Sequence, residues 1–282
     1  MSHHIRVLRR ALSLAAAGAI ALTLAGTQEA QAITNGQPDG NGHPYVGVMV
    51  IHFDGEPSRR LCSGELIAPT YFLTAGHCLQ FIADSGGFAV IDGVTFDPTY
   101  DPNAPPTIVP AASFTVDPGF GRDAGDLHDL GVITLAQPVA IAPVKLPPAG
   151  LLDQLAAQGG LRGQDFTNVG YGATGWSFGG GSPQPVDFLI ATRRLSRSPF
   201  QALEPAVLRL LETTEASGQG GICIGDSGSP RLLSVAGGDI AVAIVSTSTG
   251  GGGPFCTGGA SFNYRLDTPS ARGFLGQFVA LP

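Results

Sequence analysis

Three short segments hold residue types that together can break an acyl bond. Gly225-Asp226-Ser227-Gly228-Ser229-Pro230 offers a serine hydroxyl in a glycine-rich turn, Thr74-Ala75-Gly76-His77-Cys78 offers an imidazole, and Asp129-Leu130-Gly131-Val132-Ile133-Thr134-Leu135 opens on a carboxylate. A serine hydroxyl is a weak nucleophile at neutral pH, so it needs a base to take its proton and donors to hold the oxyanion it creates. His77 would be the base and Asp129 the partner that fixes its tautomer. The N–H groups of Gly225 and Ser227 are the expected oxyanion donors, since a tight glycine turn can aim two amides into one pocket. The chain order His, Asp, Ser separates this arrangement from two other serine-hydrolase designs. Gly225-x-Ser227-x-Ser229 also lacks the last glycine of the nucleophile elbow, which argues against an esterase of that kind.

Each role has competitors. Gly-Asp-Ser-Gly is also ordinary turn chemistry. His128 is the one serious rival to His77, because His43 and His52 lack a comparable surrounding motif and His3 and His4 fall in the leader. Asp123 and Asp126 crowd Asp129. The orienting carboxylate must be buried, which favours the one that opens an apolar strand and leaves the other two as solvated loop charges.

The elements that must position these groups read as β structure. Residues 1–32 look like an export signal: Arg6, Arg9 and Arg10 precede an apolar run from Ala11 to Ala25, and Ala30-Gln31-Ala32 suits cleavage after Ala32. That run of roughly 15 residues is shorter than the ~20 a spanning helix needs. Cleavage would take three Arg and one Glu from the 282 residues and shift the net charge from −7 to −9. An acidic chain of this kind excludes nucleic acid and anionic membranes as expected partners. Four cysteines in an exported chain read as two disulfides with three possible pairings. The pairing expected is Cys62 with Cys78 and Cys223 with Cys256, each tying a catalytic loop to its neighbour. With no Cys-x-x-Cys pair, a zinc site is not expected.

With 41 Gly and 22 Pro and short runs of Val, Ile, Leu, Thr and Phe, the chain is expected to be all-β. Strands are predicted over residues 45–52, 62–68, 71–74, 113–116, 130–135, 165–171, 186–195, 240–246 and 261–266. Residues 97–110, with five prolines, read as a surface loop. One helix is expected at about 269–279, with Thr268 as cap, Pro269 in the first turn, and Phe274, Leu275 and Phe278 on one face. Gly175–Gly181 and Gly250–Gly253 read as loops and not as phosphate cradles. Asp92, Asp97, Asp101 and Asn103 could gather round a calcium ion, but a solvated acidic loop explains them as well and no metal site is assigned.

From Ile33 to the final helix the sequence resembles the chymotrypsin-like (trypsin-like) serine proteases. The likeness rests on Ile33-Thr34-Asn35-Gly36, Cys62-Ser63-Gly64-Glu65-Leu66-Ile67, the His77 and Asp129 segments, Val169-Gly170-Tyr171-Gly172, the Ser227 loop and Ile244-Val245-Ser246, all in family order. The resemblance implies two packed six-stranded antiparallel β-barrels, the first over about 33–150 and the second over about 160–266, with a C-terminal helix. It implies a secreted serine endopeptidase acting through His77, Asp129 and Ser227 on protein or peptide substrates, without cofactor or metal, monomeric, off the membrane once the signal is removed, and open to protein protease inhibitors. A secreted homologue that only binds is the alternative, which loss of a triad residue would favour; none is lost.

The resemblance also implies an activation pair between the α-amino group of Ile33 and Asp226; cleavage directly after Ala32 would let export itself generate that terminus, whereas earlier cleavage would leave a few residues such as Gln28 to Ala32 to be trimmed. Gly221 falls where trypsin-type members carry the aspartate at the base of the specificity pocket, with Ile222, Ser246, Ser248 and Ser261 around it. An unpaired cation in such a pocket would cost several kcal/mol, so an apolar or small residue before the scissile bond is expected. Ser246-Thr247-Ser248 would pair with extended substrate as an added strand. Thr247 replaces the usual aromatic residue, Ser229 a glycine and Gly76 an alanine.

Overall fold

Short apolar runs broken by tight turns leave this chain little choice but antiparallel pairing of near neighbours. The computed structural model describes Ile33 and residues 36–104, 106–177, 184–187, 189–212, 220–249, 256 and 259–282. The signal sequence, Thr34-Asn35 and Gly250–Gly253 lie outside the described residues, as do Gly179–Gly181.

Six strands close the first barrel: β2 (Val46–Phe53), β3 (Arg59–Ala68), β4 (Tyr71–Thr74), β5 (Ala89–Thr95), β7 (Ile108–Val116) and β8 (Gly131–Leu135), in the order β2-β3-β4-β8-β7-β5. Closure removes every sheet edge. β2 is buried along Val46–Ile51 on both faces, one turned to the barrel core and the other to the rest of the molecule, which is why it reads as a continuous apolar run.

The second barrel joins β9 (Asp165–Gly170), β13 (Arg194–Leu203), β14 (Val207–Leu211), β17 (Ala260–Arg265), β16 (Gly238–Ser248) and β15 (Pro230–Val235), and the β13–β9 pairing closes it. Its core contains Phe166, Leu208, Leu210, Leu233 and Val242. β1 (Gln37–Pro38) adds to β13, β6 (Thr99–Tyr100) pairs with β12 (Ala191–Thr192), and β10 (Gly175–Ser177) with β11 (Gln184–Val186).

Three helices occur among the described residues: α1 (Gly76–Asp84), α2 (Leu151–Ala157) and α3 (Pro269–Leu275). None is long and apolar enough to cross a membrane. In α3 the Thr268 hydroxyl caps Ala271 N–H, Phe274 and Leu275 are buried, and Phe278 lies against Phe274 and Tyr71 at ring distances of 5.2 and 5.4 Å.

Three readings of the chain need correction. Residues 97–110 are not all loop: Thr99–Tyr100 pairs with β12, and β7 begins at Ile108, with Pro110 beside the register shift between Ala111 and Ser113, where a strand tolerates proline. The strand expected over 186–195 is broken, because Asp187 turns at φ 56° and Leu189 and Ile190 are exposed. The last helix ends at Leu275 instead of 279.

Arg193 rivets the two barrels. It is fully buried, pairs with Asp39 at 2.9 Å, and donates to the carbonyls of Gly40, Val46 and Phe96 and to the Tyr171 hydroxyl. A buried guanidinium is tolerable only when its donors are used in this way.

Candidate active site

β4 runs apolar through Tyr71–Thr74, and Ala75 stays extended before α1 begins at Gly76. His77 therefore sits in the first turn of α1, where backbone N–H groups have no helical acceptor and favour a negative partner. Asp129 fills that need. Its Oδ1 accepts from His77 N–H at 2.8 Å, and its Oδ2 lies 2.9 Å from His77 Nδ1. Asp129 lies two residues before β8, which pairs with β4 through Thr74 and Gly131, so the sheet register sets this meeting. Burial would raise the Asp129 carboxyl, but the His77 and Ser246 hydrogen bonds outweigh it and hold the group below the ordinary carboxylate range.

Ser246 reaches Asp129 by a local irregularity. The β16–β17 register shifts between Val245 and Thr247, which leaves Ser246 as the extra residue, and its Oγ donates to Asp129 Oδ2 at 2.5 Å. Sequence reading placed Ser246 in the specificity pocket and missed this second role.

The Ser227 loop is pinned on both sides. Gly228 N–H donates to Val245 C=O, and a Cβ on Gly228 would come within 2.6 Å of Ala75 N, so the loop presses on the backbone leading into His77. Gly225 has φ 98°, and a Cβ there would stand 2.3 Å from Arg60 Nη1; only glycine suits the position. The Gly225 carbonyl accepts from both the N–H and the hydroxyl of Ser63. Among the described residues, the N–H groups of Gly225 and Ser227 have no acceptor within the protein. No hydrogen bond joins Ser227 Oγ to His77 Nε2, a contact that in unliganded sites is often long and tightens with substrate.

Asp226 is fully buried. Its oxygens accept from Gly172 N–H at 2.8 Å and Cys223 N–H at 2.9 Å, and a Cβ on Gly172 would lie 2.1 Å from Oδ2, so the glycines of Gly170-Tyr171-Gly172 make room for this carboxylate. Burial pushes its carboxyl up to about 6 despite those two bonds and the nearby Arg231 and Arg60. Arg60 and Ser63, which shape the loop from β3, were not found by sequence reading: Arg60 lies outside every motif, and Ser63, though inside the Cys62–Ile67 segment, carries no mark of its contact with Gly225.

Beside Ser227 opens a cavity of about 420 Å³ lined by Ile222, Cys223, Ile224, Ser227 and the stretch Val245–Ser248. Of the residues expected around a specificity pocket, Ile222, Ser246 and Ser248 line this cavity. Gly221 is buried and does not line it, and Ser261 turns into the second barrel, where its Oγ accepts from Asn263. Both disulfides, Cys62–Cys78 and Cys223–Cys256, form as expected. The cluster of metal-type ligands Cys62, His77 and Cys78 is occupied by the first of them, whose sulfurs are bonded to each other.

The family model for trypsin matches residues 33–264, the span that holds both barrels and all three candidate triad residues. The chain belongs to the trypsin family. A segment of 90 residues is also 30% identical to ovochymase from Halocynthia roretzi, covering 30% of this chain and 6% of that protein. Residues 33–264 thus form a trypsin-like serine protease domain.

Within this trypsin-family domain the rival residues have other partners. Asp126 is no solvated charge: it accepts from Tyr264 and Ser270 at 2.5 and 2.6 Å and ties the Asp129 loop to α3. His128 lies between Asp117 at 3.2 Å and Asp126 at 3.9 Å, at φ 50°. Among the described residues Asp123 bonds only locally, accepting from Gly125 N–H.

Proposed function

We propose that this chain is a secreted serine endopeptidase that cleaves peptide bonds through Ser227, His77 and Asp129. The observation that carries the reading is a chain of contacts from base to cavity: Asp129 holds His77 and is itself held by Ser246, and Ser246 lines one cavity with Ser227. Extended substrate adds as a strand along Ser246–Ser248. Ser227 Oγ attacks the scissile carbonyl carbon while His77 takes its proton, and the charge on the carbonyl oxygen is met by the N–H groups of Gly225 and Ser227. His77 then protonates the leaving amine, the C–N bond breaks, and water, deprotonated by His77, releases the acid and restores Ser227.

The cavity favours an apolar or small side chain before the scissile bond, because Ile222, Ile224 and Val245 line it and no charged residue does among those described. Release of Ile33 by cleavage after Ala32 would give Asp226 a cationic partner. Ile33 is already buried, and its φ of 45° is one a β-branched residue avoids.

A fluorophosphonate probe tests the reading: it should label the wild type and not Ser227→Ala. Labelling of neither would turn the reading towards a homologue that only binds, and equal labelling of both would move the nucleophile away from Ser227.

A further inference from the structure

The pocket end of the second barrel is polar inside. Asn168, Ser198, Glu212, Arg231 and Asn263 are all buried there, although a barrel of this size is ordinarily filled with apolar side chains. Arg231 Nε donates to Asn263 Oδ1 at 2.6 Å, and its Nη2 lies 3.7 Å from Glu212 Oε1. Among the described residues neither Nη group of Arg231 has a hydrogen-bond acceptor. Replacing such a pair by apolar residues is often neutral or stabilising, so stability alone does not account for it.

What the pair touches does account for it. Glu212 Oε2 accepts from the N–H of Ile222 at 3.0 Å, and Ser198 Oγ lies 3.2 Å from the Gly220 carbonyl oxygen and 3.4 Å from the same Glu212 oxygen. Both ends of the Gly220-Gly221-Ile222 segment are therefore held from below. Ile222 presents its other side to the cavity beside Ser227. Gly221 has no side chain, so the shape of this segment is backbone shape, and backbone is only as firm as its supports.

We infer that Glu212, braced by Arg231, is a positioning residue that fixes the floor of the primary specificity pocket and so sets which side chain is accepted before the scissile bond. The inference rests on the peptidase reading above. A floor held at fixed depth selects by length and shape: an apolar side chain that reaches it is favoured over shorter ones and over charged ones that cannot be paired there. Neither residue hydrogen-bonds to Ser227, His77 or Asp129; Arg231 lies near Asp226, but Glu212 acts through the N–H of Ile222, so its effect falls on binding more than on the chemical step.

The test compares peptide substrates that differ only in the residue before the scissile bond. In the double variant Glu212→Leu, Arg231→Met, KM for the best substrate should rise at least tenfold and the spread of kcat/KM across substrates should narrow, while kcat moves less than threefold. Glu212→Gln keeps an acceptor for Ile222 N–H and should restore most of the selectivity. Ser198→Ala disturbs no charge and should shift KM in the same direction by about threefold, which keeps the test alive if the double variant does not fold. Wild-type selectivity, within twofold, in Ser198→Ala and in every folded pair variant overturns the inference, as does a fall in kcat with KM unchanged. A wild type that neither labels with fluorophosphonate nor cleaves any peptide overturns the peptidase reading and this inference with it.

Discussion

His77 meets Asp129 twice, through its backbone N–H at 2.8 Å and through ring Nδ1 at 2.9 Å. One carboxylate thus sets both where the first turn of α1 starts and how the imidazole is turned. Asp129→Asn should keep the fold, since an amide oxygen can still accept from the backbone N–H, but it should present the ring with the wrong tautomer partner. The expected loss in kcat is about 10⁴-fold, the size seen when the corresponding group of a serine triad is changed. Circular dichroism together with single-turnover kinetics would check it, and a loss under tenfold would remove Asp129 from the mechanism.

Gly225→Val should silence the enzyme without unfolding it. The valine Cβ would meet Arg60 Nη1 at 2.3 Å in a backbone region that β-branched residues avoid, so the peptide must turn and carry the Gly225 N–H away from the oxyanion. Loss of one such donor costs about 10²–10³ in kcat. Normal turnover in a folded Gly225→Val protein would show that this amide has no part in catalysis.

If cleavage after Ala32 frees Ile33 to pair with Asp226, the step should be visible in stability. Burial raises its carboxyl to about 6 while the residue before Ile33 is still attached, against about 3.9 for an unfolded Asp. The folded chain then holds a proton that the unfolded chain has already lost, so stability falls as pH rises from about 4 through 6. A free Ile33 ammonium would favour the ionised carboxylate and reverse that fall. The protein that starts at Ile33 should therefore have the higher Tm above pH 6, compared with one carrying Ala32, and the gap should close towards pH 4. Parallel Tm–pH profiles would argue that Ile33 and Asp226 do not pair.

Glu65 is a defect that can be repaired. It is fully buried in β3, neither carboxylate oxygen has a hydrogen-bond partner among the described residues, and burial holds its carboxyl well above the usual range. A carboxyl raised on folding loses stability as pH rises through the unfolded value. Glu65→Leu should therefore stabilise the protein, by about 1–3 kcal/mol in urea melts at pH 8 and by less at pH 4. Destabilisation at both pH values would mean that Glu65 has a partner or a duty of its own.

Much of the site was legible in the sequence because its parts lie within motifs. Gly225 to Pro230 and the His77 and Asp129 segments each carry their own surroundings, and the strand at Tyr71–Thr74 was bounded to the residue. What escaped was held together across the fold. Arg231 is a single charge inside an apolar strand and Glu212 a single charge just past the end of another, and Ser246 turns to Asp129 only because of a bulge that no periodicity marks. β5, β14 and β15 were missed for a related reason: Asp92 and Gly93, Arg209 and Arg231 interrupt their apolar runs, and for Asp92 and Arg231 the charge meets a partner far along the chain, His52 and Asn263. Pro110 misled in the opposite sense, since a breaker was read as an exclusion when it sat beside a bulge.

Arg193 makes the two barrels fail together. Its one guanidinium holds the chain before the first barrel, two of that barrel's carbonyls and the Tyr171 ring of the second, so neither half can open without exposing a stripped cation. Melting should then be a single transition with no half-folded species, and a nick in the segment between the barrels should leave the fragments joined, as a lock stays shut when the chain beside it is cut.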